Sequence, residues 1–232
     1  MSTDPLAGSA WSRPETVAGF TASPPNATLM AVAREELGRA PGGWALDLGC
    51  GAGRNAVPLA AQGWHVLGLD LSRPMLEAAA ERGRREPVDG RLYVALAPMD
   101  RLAVADRSCD FVIAHGIWNL ARSGAEFRRG LQEAARAAKP GAALFVFTFS
   151  RHTLPPEAQP VAGESFVFTQ FSGEPQCFLT QEQLVSELAA AGFVPDAAFA
   201  LRELNLPPPG KARIGGTPVI YEGVFRYRGC GA

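Results

Sequence analysis

The chain has 232 residues, 47% of them apolar and 19% charged, with a formal net charge of −1. That length suits one well-buried domain spanning 1–232, the composition is too apolar for a disordered chain, and the balanced charge gives no basic face for a nucleic-acid backbone. Four scattered cysteines (Cys50, Cys109, Cys177, Cys230), an N-terminus without a basic-then-apolar leader and apolar runs all short of the roughly 20 residues a bilayer span needs predict a reduced, cytoplasmic protein without membrane contact.

Residues 1–25, rich in Ser, Thr, Pro and Gly with Trp11 and Phe20 as their aromatics, predict an irregular arm that docks on the rest of the fold. From Asn26 to Ala40 apolar residues recur near a period of 3.6, predicting a helix that PGG ends; arm and helix together (1–40) are read as a lid. Short apolar segments then alternate with helical ones: WALDL, RNAVPLAAQG, WHVLGLD, SRPMLEAAAERGRR, RLYVAL, CDFVIAHG. Such alternation implies crossover connections and a parallel, doubly wound α/β sheet. Pro58 demands that its helix start late or bend. Ser123 with Glu126 reads as a capping box for a helix running to Pro140, and AALFVFTFS as a central strand covered on both faces. Residues 150–176, rich in proline, read as an insertion over the active site with a short strand or lid at 165–171. Thr180 and Gln183 form a second capping box, Phe193 to Leu201 reads as a strand, and LNLPPPG leads to a last strand, VIYEGVFRYR, predicting a C-terminal antiparallel hairpin.

The stretch ALDLGCGAGRNA (45–56) carries the strongest signal. A strand, then Gly49, Gly51 and Gly53, then a helix brings bare backbone amides against a nucleotide-like ligand. Read from Gly51 the string also satisfies G-x-G-x-x-A, the dinucleotide variant, which leaves a nicotinamide-dependent oxidoreductase open. Asp47 discriminates, because a carboxylate beneath the turn repels a pyrophosphate and attracts a cationic cofactor. Its alternative role is to hydrogen-bond the glycine turn. Cys50 has no basic neighbour in sequence and reads as a packing residue.

The D-x-G-x-G-x-G string resembles the first motif of the class I S-adenosylmethionine-dependent methyltransferases. The resemblance continues through VLGLDLSRPML, APMDRL, CDFVIAHGIWNL and EAARAAKPGAALFVF, roughly residues 41–149. It implies a Rossmann-like, mostly parallel seven-stranded sheet and S-adenosylmethionine as cofactor, with S-adenosylhomocysteine as product. It also implies a cofactor site built from Asp47, Gly49, Cys50, Gly51, Gly53, Asn55, Asp70, Leu71, Met75, Met99, Asp100 and His115. In that site Asp70 would take the ribose hydroxyls, Asp100 the adenine amine, and Met99 the ring. FTFS and FLTQEQL are loosely similar to the small tellurite-resistance and thiopurine-type members.

The implied reaction is in-line methyl transfer to a small, partly apolar acceptor, with His115 or His152 as candidate base. Candidate acceptor contacts are Trp11, Arg13, Phe20, Trp118, Arg151 and Phe168, with Phe166 and Phe171 completing an aromatic roof; the alternative reading of FVFTQF is a strand that buries its alternate face. His65, inside a strand, reads as structural. AHGIW at the fourth strand lacks the N/D-P-P-Y-type sequence of enzymes that methylate exocyclic base amines, and no acid cluster marks a metal site. A catalytically idle cofactor-binding protein of the same fold stays open; oligomeric state and pathway are not legible.

Overall fold

The computed structural model describes residues 4–206 and 217–229. Cys230 and most of LNLPPPG lie outside them. Helix α1 (Pro14–Ala22) and helix α2 (Ala27–Arg39) precede β1 (Trp44–Leu48), α3 (Ala56–Gln62), β2 (His65–Asp70), α4 (Arg73–Arg85), β3 (Leu92–Leu96) and β4 (Cys109–His115). There follow α5 (Gly124–Ala137), β5 (Ala138–Phe149), the ribbon of β6 (Val167–Phe168) and β7 (Gln176–Cys177), then α6 (Gln181–Ala190), β8 (Phe193–Pro195), β9 (Arg202–Leu204) and β10 (Ile220–Tyr227). The main sheet runs β3-β2-β1-β4-β5-β10-β8, with β9 pairing β10 off this path, so it has eight strands where seven were expected. Strands β3, β2, β1, β4 and β5 are parallel, and β10 is antiparallel to β5, β8 and β9. The expected strand over 193–201 is broken into β8 and β9.

Local chemistry explains the element ends. Helix α3 starts at Ala56, so Pro58 sits in its first turn and no bend is needed. Thr180 and Gln183 form the reciprocal capping box on α6. At Ser123 only half of the predicted box forms: its hydroxyl caps Glu126 N, while the Glu126 carboxylate accepts from Arg122 N instead. Helix α5 ends at Ala137, earlier than Pro140, because strand pairing begins at once with Ala138 opposite Cys109 and a bulge absorbs the proline. The apolar strands are sealed on both faces, one by α2 and α3 over Leu29, Val32, Val57, Phe111 and Phe145, the other by α5 and α6 over Phe127, Leu131, Leu184 and Tyr221.

Two segments differ from expectation. The arm is not irregular: Pro14 at its first turn and Glu15 near the positive helix end start α1, and the arm docks on α4, with Asp4 Oδ1 accepting from Arg73 N (3.1 Å) and Ser12 bonded to Ser72 (3.0 Å). The insertion builds a small core of its own from Leu154, Phe168 and Phe178, and Glu164 reaches the start of α5 to accept from Gly124 N (3.0 Å).

Candidate active site

The glycine turn and the ends of β2 and β4 meet along the carboxyl edge of the parallel strands, where open α/β sheets bind ligands. Gly49 and Gly53 have φ of +66° and +72°, and a Cβ on either would lie 2.7 Å from Ile117 and 2.9 Å from Val57. Side chains are therefore excluded twice, by backbone conformation and by contact. Gly51 N donates to Asp70 Oδ2 (2.9 Å), and Ser72 N to Asp70 Oδ1 (2.8 Å), so the β2 acid is clamped against the glycine turn. Ser72 in turn caps α4 through Met75 N, with Pro74 in the helix's first turn.

Asp47, on β1 between Gly68 and Ile113, is 1% exposed, and its Oδ2 has no hydrogen-bond partner. Burial, reinforced by the nearby Asp70 charge and opposed by Arg54, pushes its carboxyl up to about 7. Burial also raises Asp70 against the pull of the amides of Ser72, Gly51 and Leu71. A buried carboxylate oxygen without a donor is costly unless something binds it. Two acids under one glycine turn suit a cation and repel a pyrophosphate. The residues therefore fit S-adenosylmethionine, which carries an ammonium, a sulfonium and a ribose diol but no phosphate, better than NAD.

Around this pair Met75 is buried beside Gly51, Leu71 is half-buried, and Phe20 of α1 comes within van der Waals reach of the space over Gly51. Cys50 packs under Gly68, and burial pushes its thiol well above the ordinary value, which fits packing rather than nucleophilic chemistry. Met99 packs on the α5 side of the core, and the Asp100 carboxylate is engaged by Arg129 (3.1 Å) in the turn after β3. Asn55 Oδ1 accepts from Asn26 N (3.0 Å).

Asn26 is a junction that sequence reasoning missed. Its Oδ1 caps α2 at Leu29 N (2.8 Å), and its Nδ2 donates to Glu222 Oε2 (2.8 Å) and lies 3.4 Å from His115 Nε2. Strand registers set His115, Phe147, Glu222 and Arg202 in one row on the α2 face of the sheet. His115 stacks on Phe147, with centroids 4.2 Å apart and planes at 14°. Burial, with the Arg54 charge adding, lowers its pKa to about 4, so the ring is neutral at physiological pH. His152 lies just past β5 and is largely exposed; its Nδ1 meets Glu203 Oε1 at 2.7 Å, and the same oxygen accepts from the Ser150 hydroxyl. Glu203 and Ser150 carry no motif, although an acid within the apolar strand VIYEGVF, Glu222, was a visible signal.

Several candidate acceptor contacts are placed elsewhere. Trp118 is fully buried against Phe127 and serves the core. Phe168, 3% exposed, packs on Phe178, and Phe166 packs on Phe127. Arg151 spends its guanidinium on the carbonyls of Leu154, Pro155, Pro156 and Ala158 and lies 4.9 Å over the Phe168 ring, so it braces the insertion and is not free for a substrate carboxylate. Phe171 lies edge-on to Phe149, Trp11 packs on Phe20, and Arg13 is exposed just before α1. His65 stacks on Trp44 at the amino end of its strand, a structural position. Among the described residues no helix is long and apolar enough to cross a membrane, and no cluster of His, Cys, Asp and Glu is arranged to hold a metal.

Residues 46–146 match the methyltransferase domain family. A demethylmenaquinone methyltransferase of Clavibacter sepedonicus is 31% identical over 191 residues, covering 72% of this chain and 75% of that protein. A ubiquinone/menaquinone biosynthesis C-methyltransferase of Syntrophotalea carbinolica is 37% identical over 123 residues, 52% of this chain and 49% of that protein. Among solved structures the fold is shared with the 1,6-didemethyltoxoflavin-N1-methyltransferase of Burkholderia thailandensis bound to S-adenosylhomocysteine, at a TM-score of 0.61, 19% identity, 85% coverage of this chain and 77% of that one. The chain belongs to the class I S-adenosylmethionine-dependent methyltransferases, and S-adenosylmethionine is its cofactor.

Proposed function

We propose that the chain transfers the methyl group of S-adenosylmethionine to a small, partly apolar acceptor bound beside His115. The observation that carries this reading is the unpartnered, buried Asp47 oxygen beneath a glycine turn clamped by Asp70. Asp47 would face the cofactor's cationic end, Asp70 the ribose hydroxyls, with the glycine turn between them and Met99 and Asp100 toward the adenine. The cofactor supplies a methyl carbon activated by its sulfonium. The chain's task is to orient the acceptor in line with that carbon and exclude water. Phe20 and Ile117, packed on the glycine turn, and the docked arm of α1 supply that exclusion. The curated relatives act, by name, on quinone precursors, which supports an apolar ring as acceptor.

The two candidate bases lie on opposite faces of the sheet: His115 shares the α2 face with Glu222 and Arg202, whereas His152 is bonded to Glu203, which pairs with Tyr221 on the α5–α6 face. Glu203 fixes one ring nitrogen of His152, an oriented pair across the sheet from the proposed acceptor. His115 is held neutral and weakly basic, with Nε2 turned to Asn26, so it serves as a stacking and contact residue.

Calorimetric titration with S-adenosylmethionine and S-adenosylhomocysteine beside NAD tests the cofactor site: micromolar binding of the first two and none of NAD is expected, and the reverse order would sink the reading. Asp70→Ala should weaken cofactor binding by about 1–3 kcal/mol, since it strands both the ligand's donors and the Gly51 amide; an unchanged dissociation constant would move the ribose elsewhere. With an acceptor in hand, His152→Ala is expected to leave kcat within about twofold of wild type, because the His152–Glu203 pair lies across the sheet from the acceptor. Glu203→Gln should likewise leave kcat near the wild-type value. A kcat lowered roughly 100-fold by either variant would instead make the pair a base and move the acceptor to the α5–α6 face.

A further inference from the structure

The aromatic roof expected from the insertion is absent, because Phe166 and Phe168 are spent on packing. A different concavity borders the site. Between α2 and the strands β9 and β10 lies a crevice of about 600 Å³, within the range of small-molecule sites. Its walls are mostly apolar, formed by Ala31, Phe199 and Val224 among others, and its polar side chains are Thr28 at the start of α2, Glu222 and Arg202. We propose that this crevice is the acceptor cleft, and that Glu222 selects apolar ring compounds carrying an O–H or N–H donor at the inner end. The inference rests on the methyltransferase reading above.

Three observations converge. Glu222 is 4% exposed, and its carboxylate accepts from Asn26 Nδ2 at 2.8 Å and, at the long distance of 3.4 Å, from Arg202. A carboxylate offers about four lone-pair sites, so acceptor capacity remains on the crevice side. A buried acceptor of this kind rewards a ligand donor and penalises an ether at the same place, which is how polar groups in apolar pockets discriminate. Second, the crevice is tied to the cofactor site by the strand row itself, because Glu222 pairs with Phe147, and Phe147 with His115. Asn26 bridges Glu222 and His115 directly. Third, among the described residues Arg202 makes this one long bond, and its side chain is 60% exposed at the crevice, so its guanidinium can donate to the oxygen of the same substituent whose hydrogen Glu222 accepts.

The test uses the protein saturated with S-adenosylhomocysteine, titrated with 2-naphthol and with 2-methoxynaphthalene, which has the same ring but no donor. Wild type should bind 2-naphthol about tenfold more tightly than the ether, and Glu222→Gln should erase that preference. Ala31 is exposed on α2, so Ala31→Trp fills the crevice without entering the core; it should abolish naphthol binding while the melting temperature and S-adenosylhomocysteine affinity stay at wild-type values. Unchanged naphthol binding in Ala31→Trp, equal affinity for naphthol and ether, or no naphthol binding to folded wild type would each overturn the proposal. Failure of S-adenosylhomocysteine itself to bind would instead strike the cofactor reading, and naphthol titration of the ligand-free protein, with the same variants, then decides the cleft by itself.

Discussion

Replacing Asp47 by asparagine is expected to do two opposite things: raise the melting temperature of the ligand-free protein at pH 8, and weaken S-adenosylmethionine binding by about 2–3 kcal/mol, roughly a hundredfold. The first effect follows from linkage. Asp47 titrates near 3.8 in the unfolded chain and is pushed up to about 7 in the folded one, so between those values the native state holds a proton that the unfolded state has lost. The stability this group contributes is complete below pH 3.8 and is lost as pH rises through 7, where the buried carboxylate ionises without a partner. His115 runs the other way. Its folded value lies near 4, below its ordinary 6.5, so stability from this group is complete above pH 6.5 and falls as the solution is acidified.

Between pH 5 and 6.5 the two slopes oppose, and the melting temperature should be nearly level; above 6.5 the Asp47 slope acts alone, and the melting temperature should decline until that slope ends just above pH 7. In Asp47→Asn the decline vanishes and a rise from pH 5 to 6.5 is exposed. The second effect comes from the same oxygen: a cationic ligand stabilises the ionised form, so binding near pH 6.5 should release a proton and tighten toward pH 8. Melting curves across pH, and calorimetry in two buffers of different ionisation enthalpy, read both. A variant that binds S-adenosylmethionine like wild type, or melts with the wild-type pH profile, would show that Asp47 neither holds the ligand nor carries the buried charge. The conflict between stability and binding at one residue is the pattern expected where a site is kept ready for a ligand.

The parts legible in the sequence are those governed by local chemistry. The alternation of short apolar runs with helices was enough for the doubly wound sheet, and D-x-G-x-G-x-G was enough for the glycine turn, because both are contiguous. What escaped is set by tertiary contacts. Helix α1 was hidden because Gly19 and Thr21 weaken its propensity, and its stability comes from docking on α4 rather than from its own pattern. The aromatic run FVFTQF read either as a pocket roof or as a strand burying one face; only the tertiary contacts, Phe166 on Phe127 and Phe168 on Phe178, decide for burial. Glu203, Glu222 and Asn26 sit 51, 107 and 89 positions away from the histidines they serve, so no window of sequence could associate them.

The largest loss of stability is expected from Arg226→Ala. On β10 the Arg226 guanidinium binds Glu36 of α2 through both terminal nitrogens and Asp196, just past β8, through Nε at 2.6 Å, and the side chains are only 12%, 5% and 10% exposed. Both acids hold the guanidinium firmly in its charged form, with Glu36 the larger influence. Removing the arginine strips the mostly buried Asp196 of its cation and leaves Glu36 only the exposed Arg39 (2.9 Å), which costs about 3–5 kcal/mol, or on the order of 10 °C in melting temperature for a chain of this length. The cost belongs to the stranded charges and not to the ion pair as such, so adding Glu36→Gln and Asp196→Asn to Arg226→Met should recover most of it. Equal melting temperatures for wild type and Arg226→Ala would mean that the acids find water at no cost. The network also has a bearing on function, because Arg226 is the strut between α2 and the outer strands, the two walls of the crevice. If that strut sets the crevice width, Arg226→Met with both acids neutralised should keep cofactor affinity, since Asp47 and Asp70 lie on β1 and β2 beyond its reach, while 2-naphthol binding weakens. A variant that regains stability but loses the cofactor would instead place α2, through Asn26 and Asn55, in control of the glycine turn.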